Sequence, residues 1–574
     1  MKHNPVTAKR PRNTLSIIIA VRVLTRCDNL PHRTQFKPES NVIIRSAPVR
    51  FSHKSNCHNI LFLSVLLLTT FLLASCQKLV TTNPASLAIL NGDSAQSQPQ
   101  AAEGTAKQST ENRPPNWCLP PTRQPGTPLM EPTPNAPRSL PALRTDPEIH
   151  TVQPGDSLAT IANLYGVPLT EIITENEITN PDMLEVGQTL SIPVSQPAQP
   201  GPALKIIPDS ELVNGPAAAC FDTTAFIQQY NGYLNQYAET VDGHTMTGAE
   251  IVDRIAAEYS VNPRLLVALL EHQSHWVTAA NPDALSLTYP MQFQDVYREG
   301  LYRQLAWAAN QLNLGYYLYQ INGFANWVTA DGAVIPVNNT LNPGSAGVQH
   351  LFSHLLNENA WRAAVDGNGF RQTYQNLFGY PFDLAIEPLA PSQLNQPVFQ
   401  LPFERSATWS FTGGPHGGWG DGAAWAALDF APPGNAEGCV QSDEWVTALA
   451  DGIILYSSDA IVIQDLDTDR SYQTGWSLFY GHIETRDRIP AGTAVKAGDR
   501  IGHPSCEGGI SSGTHVHVAR RYNGEWISAD GSLPFVMDNW VSSGTGAVYN
   551  GILQKNGQIV EAWDERKPEN QIHR

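Results

Sequence analysis

The sequence predicts a multidomain chain: a small βααβ module, an all-α domain and a C-terminal, mostly antiparallel all-β domain. Hydrophobic periodicity changes twice, to helical spacing after Phe221 and to short Gly-broken runs after Gln400. Pro-rich stretches separate the first two modules from each other and from the N-terminus. With 41% hydrophobic residues over 574 positions there is material for several cores, which excludes wholesale disorder. The formal net charge of −17 divides into +9 over residues 1–76 and −26 over the rest. A body that acidic excludes nucleic acid as a partner, because phosphate contacts need clustered Lys and Arg.

The basic leader, with His53, Lys54 and His58 at its end, runs into one apolar stretch, Ile60 to Ala74. About 15 residues is short of the roughly 20 that span a bilayer but suits the core of an export signal. Residues before it exceed an ordinary leader, so Met1 to Arg50 are read as the product of a misplaced start codon. The stretch ends in Leu73-Ala74-Ser75-Cys76, which resembles a bacterial lipobox. That resemblance implies cleavage before Cys76, lipidation of its thiol, and an exported, membrane-anchored protein facing the cell wall. Cys118, Cys220, Cys439 and Cys506 then sit in an oxidising compartment, where four cysteines allow three pairings. Cys439–Cys506 and Cys118–Cys220 are the pairings expected. Residues 77–148, with 11 prolines from Pro114 to Pro147, are a disordered Ser/Gln/Pro-rich tether.

Residues 149–194 open with a short strand and a Pro-Gly turn. Asp156 or Ser157 caps a helix bearing Leu158, Ile161, Ala162 and Tyr165, and Gly166 stops it. A second helix carries Leu169, Ile172 and Ile173, and Thr189 to Ile192 form a closing strand. The order, with GDSL, Asn180-Pro181 and VGQTLSIP, resembles a LysM domain over its whole length. The resemblance implies binding of N-acetylglucosamine-containing glycan such as peptidoglycan. Its groove would lie between Gly155, Asp156, Ser157 and Leu158 on one side and Asn180, Pro181, Asp182 and Met183 on the other.

Residues 195–220 read as a linker, and residues 221–385 as a helical domain. Thr247 and Glu250 form a capping box, and Asn262-Pro263 starts a helix with Leu265, Leu266, Leu269 and Leu270 inward. The stretch VNPRLLVALLEHQSHW resembles the catalytic helix of lysozyme-like lytic transglycosylases. Gln273 stands where that family places its catalytic Glu, and an amide cannot be a general acid. Glu271 is rotated about 200° from Gln273 and is expected on a solvated surface. The domain is therefore read as a degenerate lysozyme-like scaffold.

Residues 400–540 show β-prone runs at 445–449, 452–457, 460–464, 477–482 and 514–519, followed by a β extension and tail over 541–574. In Thr-His515-Val-His517-Val the two imidazoles share a strand face. His482 ends another run, His416 lies in a Gly-rich segment, and Asp429 sits in the apolar ALDFA, where an unpaired carboxylate is costly. Tyr480-Gly481-His482 and the His-x-His pair resemble the lysostaphin/LytM-type zinc metallopeptidases. Trp425 stands where the common pattern has a His, and the long gap from His416 to Asp429 resembles the β-lytic endopeptidase branch. The resemblance implies one Zn²⁺ per chain held by His416, Asp429 and His517, with His482 and His515 catalytic. Zinc hydrolysis of peptidoglycan cross-links or stem peptides is the expected function. A catalytically silent wall-binding activator, a glycosidase using Glu271, and digestion of foreign proteins or walls are the rivals.

Overall fold

The computed structural model describes residues 128–130, 132, 138, 146–153, 156–181, 183–194, 199–323 and 325–574. Cys76, Cys118, the apolar stretch, most of the tether, Gly155 and Asp182 lie outside the described residues. Among the described residues no helix is long and apolar enough to cross a membrane.

In the small module, Glu148–Thr151 pairs antiparallel with Thr189–Ile192 around helices Leu158–Tyr165 and Leu169–Glu175. Ser157 caps the first helix by accepting the Thr160 N–H at 3.1 Å, whereas Asp156 accepts from the Gln153 N–H and pairs with His150. Val152, Leu158, Ile161, Ala162, Ile172 and Leu190 fill a small core.

The helical region is larger than expected. Residues 199–220 are no free linker: Ile206, Ile207, Leu212 and Val213 are fully buried, and the Ile206 N–H donates to Ser345 Oγ at 2.6 Å. Buried Glu211 pairs with Arg264 at 2.6 Å. Prolines at both ends of the segment gave it a linker's composition, but its apolar centre is what packs.

Thr247 and Glu250 make the capping box of helix Gly248–Tyr259, and Asn262 caps helix Pro263–Ser274. Leu265 to Leu270 are all fully buried, so this second helix is enclosed on every side. That enclosure corrects the placement of Glu271. Rotation off the leucine face leads into another packed surface, and Glu271 is only 9% exposed.

In the C-terminal region a nine-stranded antiparallel sheet is built on the order Ala494–Val495, Gly452–Ser458, Ile461–Asp465, Trp476–Gly481, Val516–Tyr522, Ala427–Ala431, Thr408–His416 and Gln571–His573, with Glu525–Trp526 on a side branch. One face, bearing Leu428, Phe430, Val462, Leu478, Tyr480 and Val518, makes the β core. The opposite face, bearing Ile461, Ile463, Phe479, Ala519 and Trp526, shares one apolar cluster with the helices. Polar contacts support that junction. Arg521 donates to the carbonyls of Ala257 and Glu258, and Ser260 donates to that of Gly524.

Residues 541–574 are not an appendage. Trp540–Gly544, Gly551–Lys555 and Gln558–Glu561 share a four-stranded sheet with Val536–Met537, so a boundary at 540 would cut it. Gln571–His573 pairs with the strand that ends in His416.

Candidate metal centre

The strand ladder assembles the site. Gly481 pairs with His517, His517 with Asp429, and Asp429 with Gly413, so these four residues form one row across four strands. In an antiparallel sheet such a row lies on one face. Its two outer members need to be small. A Cβ on Gly413 would stand 2.5 Å from Asp429 Oδ2, and one on Gly481 would stand 3.1 Å from the Trp419 ring.

His416 and His482 reach the row by breaking strand regularity. Three residues, Gly413 to His416, advance against two, Asp429 to Ala427. The extra residue is a bulge, and it turns His416 to the face that Gly413 occupies. His482 follows the strand Trp476–Gly481, whose alternation would send it to the β core. Its φ of 61° swings it out instead. A non-Gly residue in that region costs on the order of 1–3 kcal/mol, a strain that clusters at functional sites. His515 shares the face of His517 by the two-residue repeat.

All five side chains predicted from the sequence thus meet. His416 Nε2 lies 3.0 Å from His517 Nδ1, and Asp429 Oδ1 lies 3.3 Å and 3.2 Å from these atoms. His515 Nε2 is 3.8 Å from the same oxygen, and the His482 and His515 ring centroids are 4.5 Å apart. His416, Asp429 and His517 are buried, with one ligand-capable atom each inside a 4.8 Å group.

Each imidazole has its other nitrogen on a backbone carbonyl. His416 Nδ1 donates to Gly414 O at 2.8 Å, His517 Nε2 to Gly418 O at 2.8 Å, His515 Nδ1 to Gly513 O at 2.7 Å and His482 Nδ1 to Glu507 O at 2.9 Å. A carbonyl can only accept, so in the neutral rings the site-facing nitrogens carry no proton. His416 Nε2 and His517 Nδ1 therefore present lone pairs to each other and to a carboxylate. Asp429 Oδ1 is buried and has no hydrogen-bond partner. A buried acceptor among acceptors is costly unless a cation fills the space between them. The donor set fits such an ion, and carbonyl-oriented imidazoles are the usual support of metal ligands.

Burial would raise Asp429, but positive charge on His416 and His515, with hydrogen bonding from His416 and His517, outweighs it and holds the carboxyl well below its ordinary range, while Asp429 in turn raises His416 against the effect of burial. The carboxylate thus calls for positive charge beside it, which protons on the imidazoles or a cation between them would supply. Burial, with His515 and His517 beside it, pushes His482 down to about 3, so this imidazole is neutral.

Other sequence candidates take structural places. The buried Tyr480 hydroxyl donates to Gln464 and accepts the Leu449 N–H. His503, just past strand Arg500–Gly502, is buried against Trp445 with ring centroids 3.9 Å apart. Cys439 and Cys506 are bonded, with Cα atoms 5.6 Å apart, which ties the segment before Gly508 to the loop that precedes strand Val446–Thr447. Cys220 is also disulfide-bonded, and its expected partner Cys118 lies outside the described residues. In the LysM-like module Leu158 is buried in the core and offers no groove surface, whereas Asp156 is half-buried and Ser157, Asn180, Pro181 and Met183 are exposed.

Two site residues escaped the sequence reading. Tyr549 stacks on His416 with ring centroids 4.3 Å apart and is half exposed. Trp419 lies edge-on to His517, with centroids 6.1 Å apart, and walls the row beside Gly481. Neither belongs to a motif. Only the aromatic content of GGWG, three residues after His416, hinted at Trp419.

Residues 150–193 match the LysM domain model, and residues 205–390 match the model of the LasA N-terminal domain. The second match starts inside the segment expected as a linker and covers the region read as lysozyme-like. The protease LasA of Pseudomonas aeruginosa is 26% identical over 307 residues, half of this chain and 68% of that protein. The chain thus carries a LysM domain and is similar to the protease LasA and to the β-lytic metalloendopeptidases. The β-lytic metalloendopeptidase of Lysobacter enzymogenes is 28% identical over 173 residues, 28% of this chain and 90% of that protein. The solved M23 metalloprotease pseudoalterin is 24% identical with a TM-score of 0.25, covering 29% of this chain and 96% of its own.

Proposed function

We propose that the chain is a cell-wall-bound zinc endopeptidase that hydrolyses peptide bonds in peptidoglycan cross-links or stem peptides. The observation that carries this reading is the orphaned Asp429 Oδ1, buried between two imidazole nitrogens whose N–H groups are already committed. His416, Asp429 and His517 would hold one Zn²⁺. Two imidazoles and a carboxylate leaving a position open is the composition of a catalytic rather than a structural zinc site. Bound there, zinc supplies Lewis-acid polarisation of the scissile carbonyl and lowers the pKa of a coordinated water to about 7.

The chain's own residues do the rest. His482 and His515, both fixed by carbonyls through Nδ1, offer bare Nε2 atoms beside the row. One such base takes the proton of the attacking water and returns it to the leaving amine. Tyr549 and Trp419 wall the cleft on either side of His416 and His517 and limit how substrate enters.

The LysM domain keeps the enzyme on N-acetylglucosamine-containing glycan, and the lipid on Cys76 tethers it to a membrane outside the cytoplasm. Both arrangements keep the catalytic domain near an immobile polymer, so a small encounter affinity suffices. Incubation of the full chain with purified peptidoglycan tests the proposal. New free amines that vanish with chelator and return with Zn²⁺ support it. New reducing sugar ends, or free amines indifferent to chelator, would overturn it.

A further inference from the structure

A second group of oxygen donors lies at the opposite strand end from Gly481 and His482. The loop 466–475 joins strand Ile461–Asp465 to strand Trp476–Gly481 and reads Leu-Asp-Thr-Asp-Arg-Ser-Tyr-Gln-Thr-Gly. Asp465, Asp467 and Asp469 occupy alternate positions, and one carboxylate oxygen of each lies within 4.8 Å of the others. Asp465 is fully buried. Its carboxylate accepts the N–H groups of Asp467 and Arg470, which hold it towards the loop.

An independent observation comes from the neighbouring strand. Ser477 is the cross-strand partner of Asp465, so its side chain stands on the same face, with Cβ atoms about 5 Å apart. It is fully buried, and its Oγ has no hydrogen-bond partner. A lone hydroxyl could have turned to a carboxylate at hydrogen-bonding distance. This one makes no hydrogen bond to Asp465, which leaves its oxygen open to an ion that Asp465 also faces.

We propose that Asp465, Asp467, Asp469 and Ser477 form a second metal site, distinct from the His416 site, that binds a hard divalent cation of the Ca²⁺ class. The donor set is all oxygen, with no imidazole or thiolate, which selects Ca²⁺ over zinc-type ions. Carboxylates at alternate positions of a loop are a common way to supply Ca²⁺ with its six to eight oxygens, backbone carbonyls and water completing the shell. The bound ion would lock the turn between two central strands of the sheet, remote from the peptidase row, and so act on stability.

Calcium titration of the full chain, read by bound Ca²⁺ per chain and by the melting temperature, tests this. Ca²⁺ is expected to bind once, with a Kd of about 1 mM or tighter, and to raise the melting temperature. Asp467→Asn combined with Asp469→Asn keeps the acceptor oxygens of the turn but removes two charges. It should abolish the Ca²⁺-dependent rise while leaving the Ca²⁺-free melting temperature unchanged or higher. Ser477→Ala should also fold as well or better without Ca²⁺, yet bind it about tenfold more weakly. A merely structural serine would leave the Ca²⁺ affinity unmoved. His416→Ala should retain Ca²⁺ binding in full. Absence of binding at millimolar Ca²⁺, equal binding by the double Asn variant, or loss of binding in His416→Ala would each overturn the assignment.

Discussion

Glu271 in the helical region and Asp429 in the β region are both buried carboxylates with a histidine beside them, and they meet opposite surroundings. Glu271 accepts the N–H groups of Val277 and Thr278 at 3.1 Å each and the Thr278 hydroxyl at 2.6 Å, with His275 3.4 Å away on the exposed side. Its charge is satisfied by donors, and what it does is pin the turn that follows its helix. Asp429 Oδ1 faces imidazoles whose other nitrogens already donate to carbonyls, and it has no hydrogen-bond partner. A buried carboxylate says little about function by itself. What decides is whether its neighbours donate, which closes the site, or accept, which calls for a cation.

Four measurements press on that contrast. The largest effect is expected for the carboxylate that lacks donors: Asp429→Ala or His416→Ala should lower peptidoglycan hydrolysis by at least about a thousandfold. A variant that keeps near-normal turnover would break the contrast outright. Next, His482→Ala and His515→Ala should each cost about 10² to 10⁴ in kcat with zinc content unchanged, because they move protons rather than hold metal. Metal loss in either variant would transfer that residue to the ligand set.

Glu271→Gln should leave kcat within about twofold while destabilising the fold by roughly 1–3 kcal/mol, since one charged acceptor is lost from a satisfied cluster. A collapse of activity at full stability would make Glu271 a catalytic group. The smallest effect concerns a carboxylate of a third kind. Asp209 shares a cavity with Glu387 and Glu525, and burial and Glu387 raise it from 3.8 to about 7 despite bonds from Gly344 and Asn342. Here a proton settles the charge. Because the folded chain holds that proton more tightly than the unfolded one, stability should decline as pH rises from about 4 to about 7. Asp209→Asn should flatten that part of the stability profile, read by denaturant titration across pH, and an unchanged slope would assign it to other groups.

Much of the site was legible because its chemistry is written in short-range pattern. The His515/His517 pair follows from the strand repeat, and Asp429 stands out as the one charge in ALDFA. His416 was placed from its family resemblance, and the bulge that turns it inward leaves no trace in residue spacing. Tyr549 was illegible because it arrives from 133 positions downstream through the hairpin after Trp540–Gly544. Reading failed where a local rule met tertiary packing. Rotation about one helix placed Glu271 in solvent, but that helix has no solvent side. Composition made residues 195–220 a linker, although Ile206 and Ile207 complete the helical core. The end at residue 540 treated the Gly-punctuated strands after it as an appended extension, and the strand pairing crosses it.

The most direct test of the account is metal analysis of the purified full chain beside Asp429→Ala, after equilibration with excess Zn²⁺ and removal of the unbound ion. The account predicts one zinc per wild-type chain and almost none in the variant, with both melting cooperatively. Equal zinc in the two proteins would contradict it, and Asp429 would then be a buried carboxylate of the kind that Glu271 exemplifies.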